Sequence, residues 1–187
     1  MLLVAGVVAA LFERERSGQG QVVDAAMVDG VAILTAIFHS LVAQGTWTAE
    51  REANLLDGGA HFYRTYATAD DRFLAVGAIE TKFYAELLNR LGLDPREWPQ
   101  LDRSRWPTLR ARLAAIFRTR ELSHWLKVFE GSDACVAPVN TFAEATEDPH
   151  LAGRQTFVSA FGIMQPAPAP RFSRTPGRIG GPPPGMH

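Results

Sequence analysis

Five histidines, one cysteine and a few isolated carboxylates are the groups of this chain best suited to moving protons or holding metals. The histidines are His39, His61, His124, His150 and His187. No two are four residues apart and no HExxH occurs, so their spacing does not support a zinc centre. His39 lies in an apolar, helix-like stretch, where a hydrogen-bonded core or helix-end histidine is the simpler reading. His61 follows a Gly58-Gly59 turn and reads as surface structure. Cys135, between Ala134 and Val136, reads as a buried, inert thiol, and no GxSxG elbow is present. Asp24 and Asp29 sit in buried-looking segments, where a carboxylate needs a partner and is a functional candidate. Their plainer readings are a strand end and the first turn of a helix. Asp57-Gly58-Gly59 is a turn by composition, and glycine allows a backbone to approach a ligand closely. Glu80 closes the apolar run Leu74-Ala-Val-Gly-Ala-Ile-Glu80, just before a helix. A strand end feeding a helix is a common place for a functional side chain, and equally for an acid that complements the helix start. The pattern leaves the two readings level.

The elements that must position these groups fall into two styles. Residues 2–16 read as a helix of little amphipathicity that a core should bury on most sides, closed by Ser17-Gly18. Residues 20–26 (GQVVDAA) read as a short buried strand on the preference of Val22 and Val23, and residues 27–44 as one apolar helix stopped by Gly45. Helix, strand and helix, all apolar, are the grammar of an α/β layer. No GxGxxG loop and no Walker sequence accompanies them.

Beyond residues 46–57, a polar and then glycine-bearing linker, the pattern changes to a small α+β domain over 58–165. Residues 62–67 and 73–78 read as a β-hairpin turning at Asp70-Asp71-Arg72. Phe83, Tyr84, Leu87, Leu88 and Leu91 mark one face of a helix over 81–91. Pro107 opens a helix running to about Arg118, a further helix covers 121–129, and residues 134–139 read as a strand. Thr141 and Glu144 have capping-box spacing, and 157–161 reads as a last strand. Residues 166–187, rich in proline and glycine, read as an extended tail without a packed element.

Composition narrows the class. The chain has 187 residues, a net charge of -1 and 47% hydrophobic residues, as an ordinary globular protein does. That charge balance argues against a nucleic-acid binder. The lone cysteine rules out an intrachain disulfide and suits a reducing cytoplasm. The apolar start, residues 1–12, is too short to span a membrane, which takes about 20 residues, and has no charged flank of a secretory signal ahead of it.

Segments 11–30 (LFERERSGQGQVVDAAMVDG), 54–66 (NLLDGGAHFYRTY), 74–80 (LAVGAIE), 131–139 (GSDACVAPV) and 168–175 (PAPRFSRT) resemble the family III CoA-transferase superfamily (CaiB/BaiF type). The nearest branch is that of the α-methylacyl-CoA racemases. LAVGAIE separates that branch from the acyl-CoA transferases, which tend to carry a glycine-rich loop near this point.

The resemblance implies an α/β fold of which this chain is the C-terminal part. Residues 1–45 would be a remnant of the large Rossmann-like domain, 46–57 a linker, 58–165 the small α+β domain and 166–187 a returning tail. It also implies epimerisation of the carbon α to a CoA thioester, with no cofactor beyond the coenzyme A of the substrate. The implied assembly is an interlocked homodimer, with no nucleic acid and no membrane involved. The family's two proton-transfer groups are a histidine in a Gly-His-Asp segment and an aspartate in an Asp-Phe-Gly-Gly-Gly segment. Both lie ahead of the position matching Met1. His39, His61, Asp24, Asp29 and Asp57 do not match them. The one catalytic-site position of the family present is Glu80, a carboxylate that orients the histidine across a subunit interface. The expectation is a truncated racemase-lineage chain, inactive alone. The alternatives are a CoA-transferase and a non-catalytic interaction module.

Overall fold

In the computed structural model, which describes residues 1–181, three helices lead into a mixed helix-and-sheet body. Helix α1 (Leu2–Ser17) ends on Gly18, whose φ of 75° is left-handed and whose amide donates to the Arg14 carbonyl. Glycine takes this cap conformation without a Cβ penalty, as Ser17-Gly18 predicts. Residues 20–26 do not form the expected strand. Val22 and Val23 favour extended backbone, but a strand exists only as one member of a hydrogen-bonded ladder, and no described residue pairs with them.

The single helix expected over 27–44 is two, α2 (Met27–Leu34) and α3 (Ala36–Ala43). They part at Thr35, whose hydroxyl donates to the carbonyls of Val31 at 2.9 Å and Ala32 at 3.2 Å. Such back-bonding competes with the helix ladder and bends it. Gly45, at φ 68°, closes α3 as expected. None of the residues of α1, α2 or α3 is buried. Val4, Phe12, Val28 and Leu34 are 61–76% exposed, against the expectation of burial. Apolar periodicity specifies a surface that favours cover, and the described residues do not supply that cover.

The core lies further along the chain. Strands β1 (Tyr63–Ala67), β2 (Phe73–Gly77) and β3 (Val136–Pro138) make an antiparallel sheet in that order, with Tyr66 opposite Leu74 and Leu74 opposite Pro138. Tyr66, Leu74 and Val76 are buried while Phe73 is exposed, the alternation of a sheet packed on one face. Helix α4 (Thr81–Leu91) buries Tyr84, Leu87 and Leu88. Helix α5 (Trp106–Phe117) buries Leu109, Leu113 and Phe117 at four-residue spacing, and α6 (Leu122–Phe129) buries Leu122, Trp125 and Phe129. The Phe117 and Trp125 rings meet edge to face at 5.2 Å, and the Trp125 indole donates to the Phe117 carbonyl.

Strand β3 is shorter than the expected 134–139 because Cys135, at φ 53°, leaves extended geometry. Helix α7 (Phe142–Glu147) opens on the capping box Thr141/Glu144, and Arg72 pairs with Glu144 at 2.6 Å, tying α7 to the hairpin loop. Helix α8 (Pro149–Gly153) leads to β4 (Phe157–Ala160) and β5 (Ile163–Pro166), a hairpin in place of the single last strand expected over 157–161. Its turn, Phe161-Gly162, has φ of 54° and 75°, the paired left-handed geometry of a two-residue hairpin loop. Residues 167–181 hold no helix or strand. Residues 182–187, with the end of the proline-rich run and His187, lie outside the described residues. No helix among the described residues is long and apolar enough to cross a membrane.

Candidate functional site

Asp57, Gly58 and Gly59 are consumed by local structure. Asn54, 1% exposed, donates from Nδ2 to the Thr48 carbonyl at 3.0 Å and to Asp57 Oδ2 at 2.8 Å, and its Oδ1 accepts from the Thr48 amide. Asp57 Oδ1 accepts from the amides of Asn54 and Gly59. Burial raises the Asp57 carboxyl, but these hydrogen bonds outweigh it and hold the group below its ordinary value. A Cβ on Gly59 would stand 2.7 Å from the Asn54 backbone, so the second glycine serves close packing of the knot and not a ligand.

His61 is fully buried, contrary to the surface role expected of it. Its Nε2 is 2.6 Å from Tyr84 Oη, the Tyr84 hydroxyl lies 3.1 Å from the Trp98 carbonyl, and its own carbonyl accepts from Tyr66 Oη. Burial depresses the imidazole to about 4, so it is neutral at pH 7, and pushes both tyrosine hydroxyls upward. A neutral imidazole sealed between Phe62, Tyr84 and Trp98 has no route to a substrate. The sequence could not signal this burial, because the ring's cover comes from α4 and from Trp98.

Glu80 has the opposite surroundings. It is exposed, and its side chain has no hydrogen bond or ion pair among the described residues. It occupies the N-cap position of α4 with extended backbone (φ -71°, ψ 138°), yet the carboxylate caps no amide. Its carbonyl accepts from the amides of Phe83 and Tyr84, both at 3.0 Å. The two preceding carbonyls, of Ala78 and Ile79, accept from Gln100 Nε2 at 3.1 and 2.7 Å. The backbone is therefore held on both sides of a carboxylate that is itself unbound. Of the ways an acid can serve a helix start, side-chain capping does not occur here, while complementing the dipole needs no such bond.

Cys135 is exposed, not buried, and its carbonyl accepts from the Gly77 amide at 2.9 Å. Partial desolvation and the charges of Glu80 and Asp133 raise its thiol, which opposes nucleophile formation. Asp24, Asp29 and His39 are exposed, which removes the argument from burial. His124 lies edge to face on Trp125 and His150 stands in the last turn of α8. The structure does not gather these groups into one centre, and no cluster of three or more metal-binding side chains occurs among the described residues. As polar groups, Tyr84 and Gln100 belong to no motif of the sequence. Tyr84 carried only a core-face signal, and nothing in the spacing marks Gln100.

Comparison with known proteins gives this geometry a context. The model of CoA-transferase family III matches residues 1–187. The chain is 46% identical to the α-methylacyl-CoA racemase of Mus musculus and 42% identical to that of Homo sapiens, over 94% of this chain and 47% of each relative. Identity falls to 27% against the acetyl-CoA:oxalate CoA-transferase of Acetobacter aceti, over 89% of this chain and 44% of that enzyme. The chain thus spans about half the length of the curated relatives it matches. Among solved structures, Rv3272 of Mycobacterium tuberculosis superposes with a TM-score of 0.71 at 20% identity, over 95% of this chain and 48% of that one. A CAIB/BAIF family protein of Brucella suis does so with a TM-score of 0.64 at 23% identity, over 92% and 47%. These two share the fold, a partial one here, as expected from the resemblance. On the whole-chain match, this chain belongs to CoA-transferase family III.

Proposed function

We propose that this chain is the portion of an acyl-CoA racemase that presents Glu80 to the proton-transfer machinery, and that its substrate is a 2-methylacyl-CoA thioester. The observation that carries the reading is the fixed backbone and free carboxylate of Glu80, at the end of β2 and the start of α4. The identity of 46% and 42% to racemases, against 27% to an acetyl-CoA:oxalate transferase, favours this branch. In the reaction, a base removes the hydrogen on the carbon α to the thioester, the C–H electron pair becomes the C=C bond of the enolate and the carbonyl π pair moves onto oxygen. A conjugate acid on the opposite face returns a proton, and donors near the oxygen stabilise the transient enolate. Protons alone move, so the step as written calls for no metal or redox group, and coenzyme A enters as part of the substrate.

Glu80 is one carboxylate and cannot serve both faces of the carbon. Its role in this proposal is to orient a histidine supplied by polypeptide other than these 187 residues, across the interface of an interlocked dimer. The uncovered apolar surface of α1, α2 and α3 supports an assembly with further polypeptide. The test is hydrogen–deuterium exchange at the α-carbon of a 2-methylacyl-CoA. It compares the chain alone with the chain co-expressed with the other half of a racemase relative. Exchange only in the second case is expected, and robust exchange by the chain alone would overturn the division of labour. CoA transfer to a free carboxylic acid without exchange would favour the transferase reading, and assembly without either activity would favour an interaction module.

A further inference from the structure

We infer that Gln100 is a positioning residue for Glu80, acting through the backbone carbonyls of Ala78 and Ile79; the inference rests on the reading of Glu80 given above. The junction between β2 and α4 is where the ladder stops and the helix has not begun, so its carbonyls have no regular partner. The Ala78 amide still donates to the Phe62 carbonyl and the Ile79 amide folds back to the Gly77 carbonyl at 2.9 Å. Their own carbonyls then depend on one side-chain nitrogen. The two N–H groups of Gln100 Nε2 serve one carbonyl each, at 3.1 and 2.7 Å. Ala78 is fully buried, so its carbonyl has little recourse to water.

Gln100 is in turn fixed. Its carbonyl accepts from the Trp106 indole at 2.8 Å, and Trp106 is a buried residue at the start of α5. Two residues earlier, the Trp98 carbonyl is engaged by Tyr84 of α4. The loop carrying Gln100 is thus pinned to α4 on one side and to α5 on the other. Its amide holds the two peptides ahead of Glu80 against that frame. Glutamine is the fitting residue type here, because it donates two hydrogens from one atom without adding charge beside a carboxylate. Glutamate at 100 would offer only acceptors to two carbonyls, and leucine would offer nothing.

Two measurements separate this inference from the reading beneath it. The first uses the chain assembled with the other half of a racemase relative and needs no activity. Amide order parameters at Ile79 and Glu80 should fall in Gln100→Leu while those of Thr65 and Leu113 stay as they are. Unchanged values at Ile79 and Glu80 would overturn the clamp. The second uses the chain assembled with the other half of a racemase relative and follows α-carbon exchange. Gln100→Leu and Gln100→Glu should each lower kcat by about tenfold or more at similar KM. The double variant Glu80→Gln/Gln100→Leu should be no slower than Glu80→Gln alone, because a residue that acts only through Glu80 has nothing left to position. Additive losses, or a raised KM at unchanged kcat, would overturn the positioning role. Absence of exchange in the wild-type assembly would count against the racemase reading alone, with the order parameters still deciding the clamp.

Discussion

His61 Nε2 lies 2.6 Å from the Tyr84 hydroxyl, and this pair joins the segment before β1 to the first turns of α4. It is a bond inside the core, 0% exposed on the histidine and 4% on the tyrosine, and not part of a catalytic centre. Its consequence is a link between proton binding and folding.

Acid should unfold the protein through His61. The imidazole titrates near 4 when folded against an ordinary 6.5, so between these values the unfolded chain binds the extra proton. The penalty is absent above about pH 6.5, grows as pH falls and is complete below about pH 4, amounting to about 3 kcal/mol. Urea unfolding midpoints measured from pH 7.5 to 4 should drop over this window, and His61→Phe should flatten that part of the curve.

Removing one hydroxyl should cost more than a surface change. Tyr84→Phe leaves His61 Nε2 buried without a partner and takes the hydroxyl from the Trp98 carbonyl. The expected loss is about 1–3 kcal/mol by urea denaturation at pH 7.5. A change within the noise of the measurement would show that the ring pair contributes packing only.

The knot around Asn54 should be equally sensitive from two directions. Asn54→Ala strands the Thr48 amide and an Asp57 oxygen in a half-buried turn, for about 1–3 kcal/mol. Gly59→Ala places a methyl 2.7 Å from the Asn54 backbone, for a similar cost of about 1–3 kcal/mol by overpacking. Gly58, with no atom within 4 Å of its added Cβ, is instead held to glycine by its φ of 90°.

Glu80→Gln should separate stability from activity. The side chain is exposed and makes no hydrogen bond or ion pair among the described residues, so the unfolding stability should move by no more than about 0.5 kcal/mol. On the function proposed above, α-carbon exchange by the chain assembled with the other half of a racemase relative should fall by about 10²-fold, the scale of a misplaced reacting group. A destabilised variant would reassign Glu80 to the structure of the helix start.

The apolar surface of the first three helices should be visible in solution. With Val4, Phe12, Val28 and Leu34 exposed, the chain alone should bind a hydrophobic dye and self-associate on size exclusion, and co-expression with the other half of a racemase relative should abolish both. A monodisperse chain that binds no dye would show that this surface needs no cover.

Local pattern determined a great deal here. The helix over 81–91, the hairpin on either side of Asp70-Asp71-Arg72, the Thr141/Glu144 box and the glycine stops at 18 and 45 all rest on short-range rules of period, turn chemistry and capping. Local pattern also placed Glu80 as one acid at the end of an apolar run, but left a functional and a helix-start reading of it level. The tertiary structure decided what depends on neighbours distant in the chain. A strand at 20–26 needs a ladder that its own residues cannot supply, and Thr35 divides a helix whose apolar content suggested one piece. His61 is sealed because Tyr84 and Trp98 close over it, 23 and 37 positions away, whereas Cys135 is turned outward by its own left-handed backbone. Gln100 meets its two carbonyl partners, 21 and 22 positions earlier, only through folding. Periodicity reports which surface an element buries, but burial and hydrogen-bond satisfaction are properties of what meets that surface. In this chain those meetings are made by folding across loops and not by neighbours in sequence.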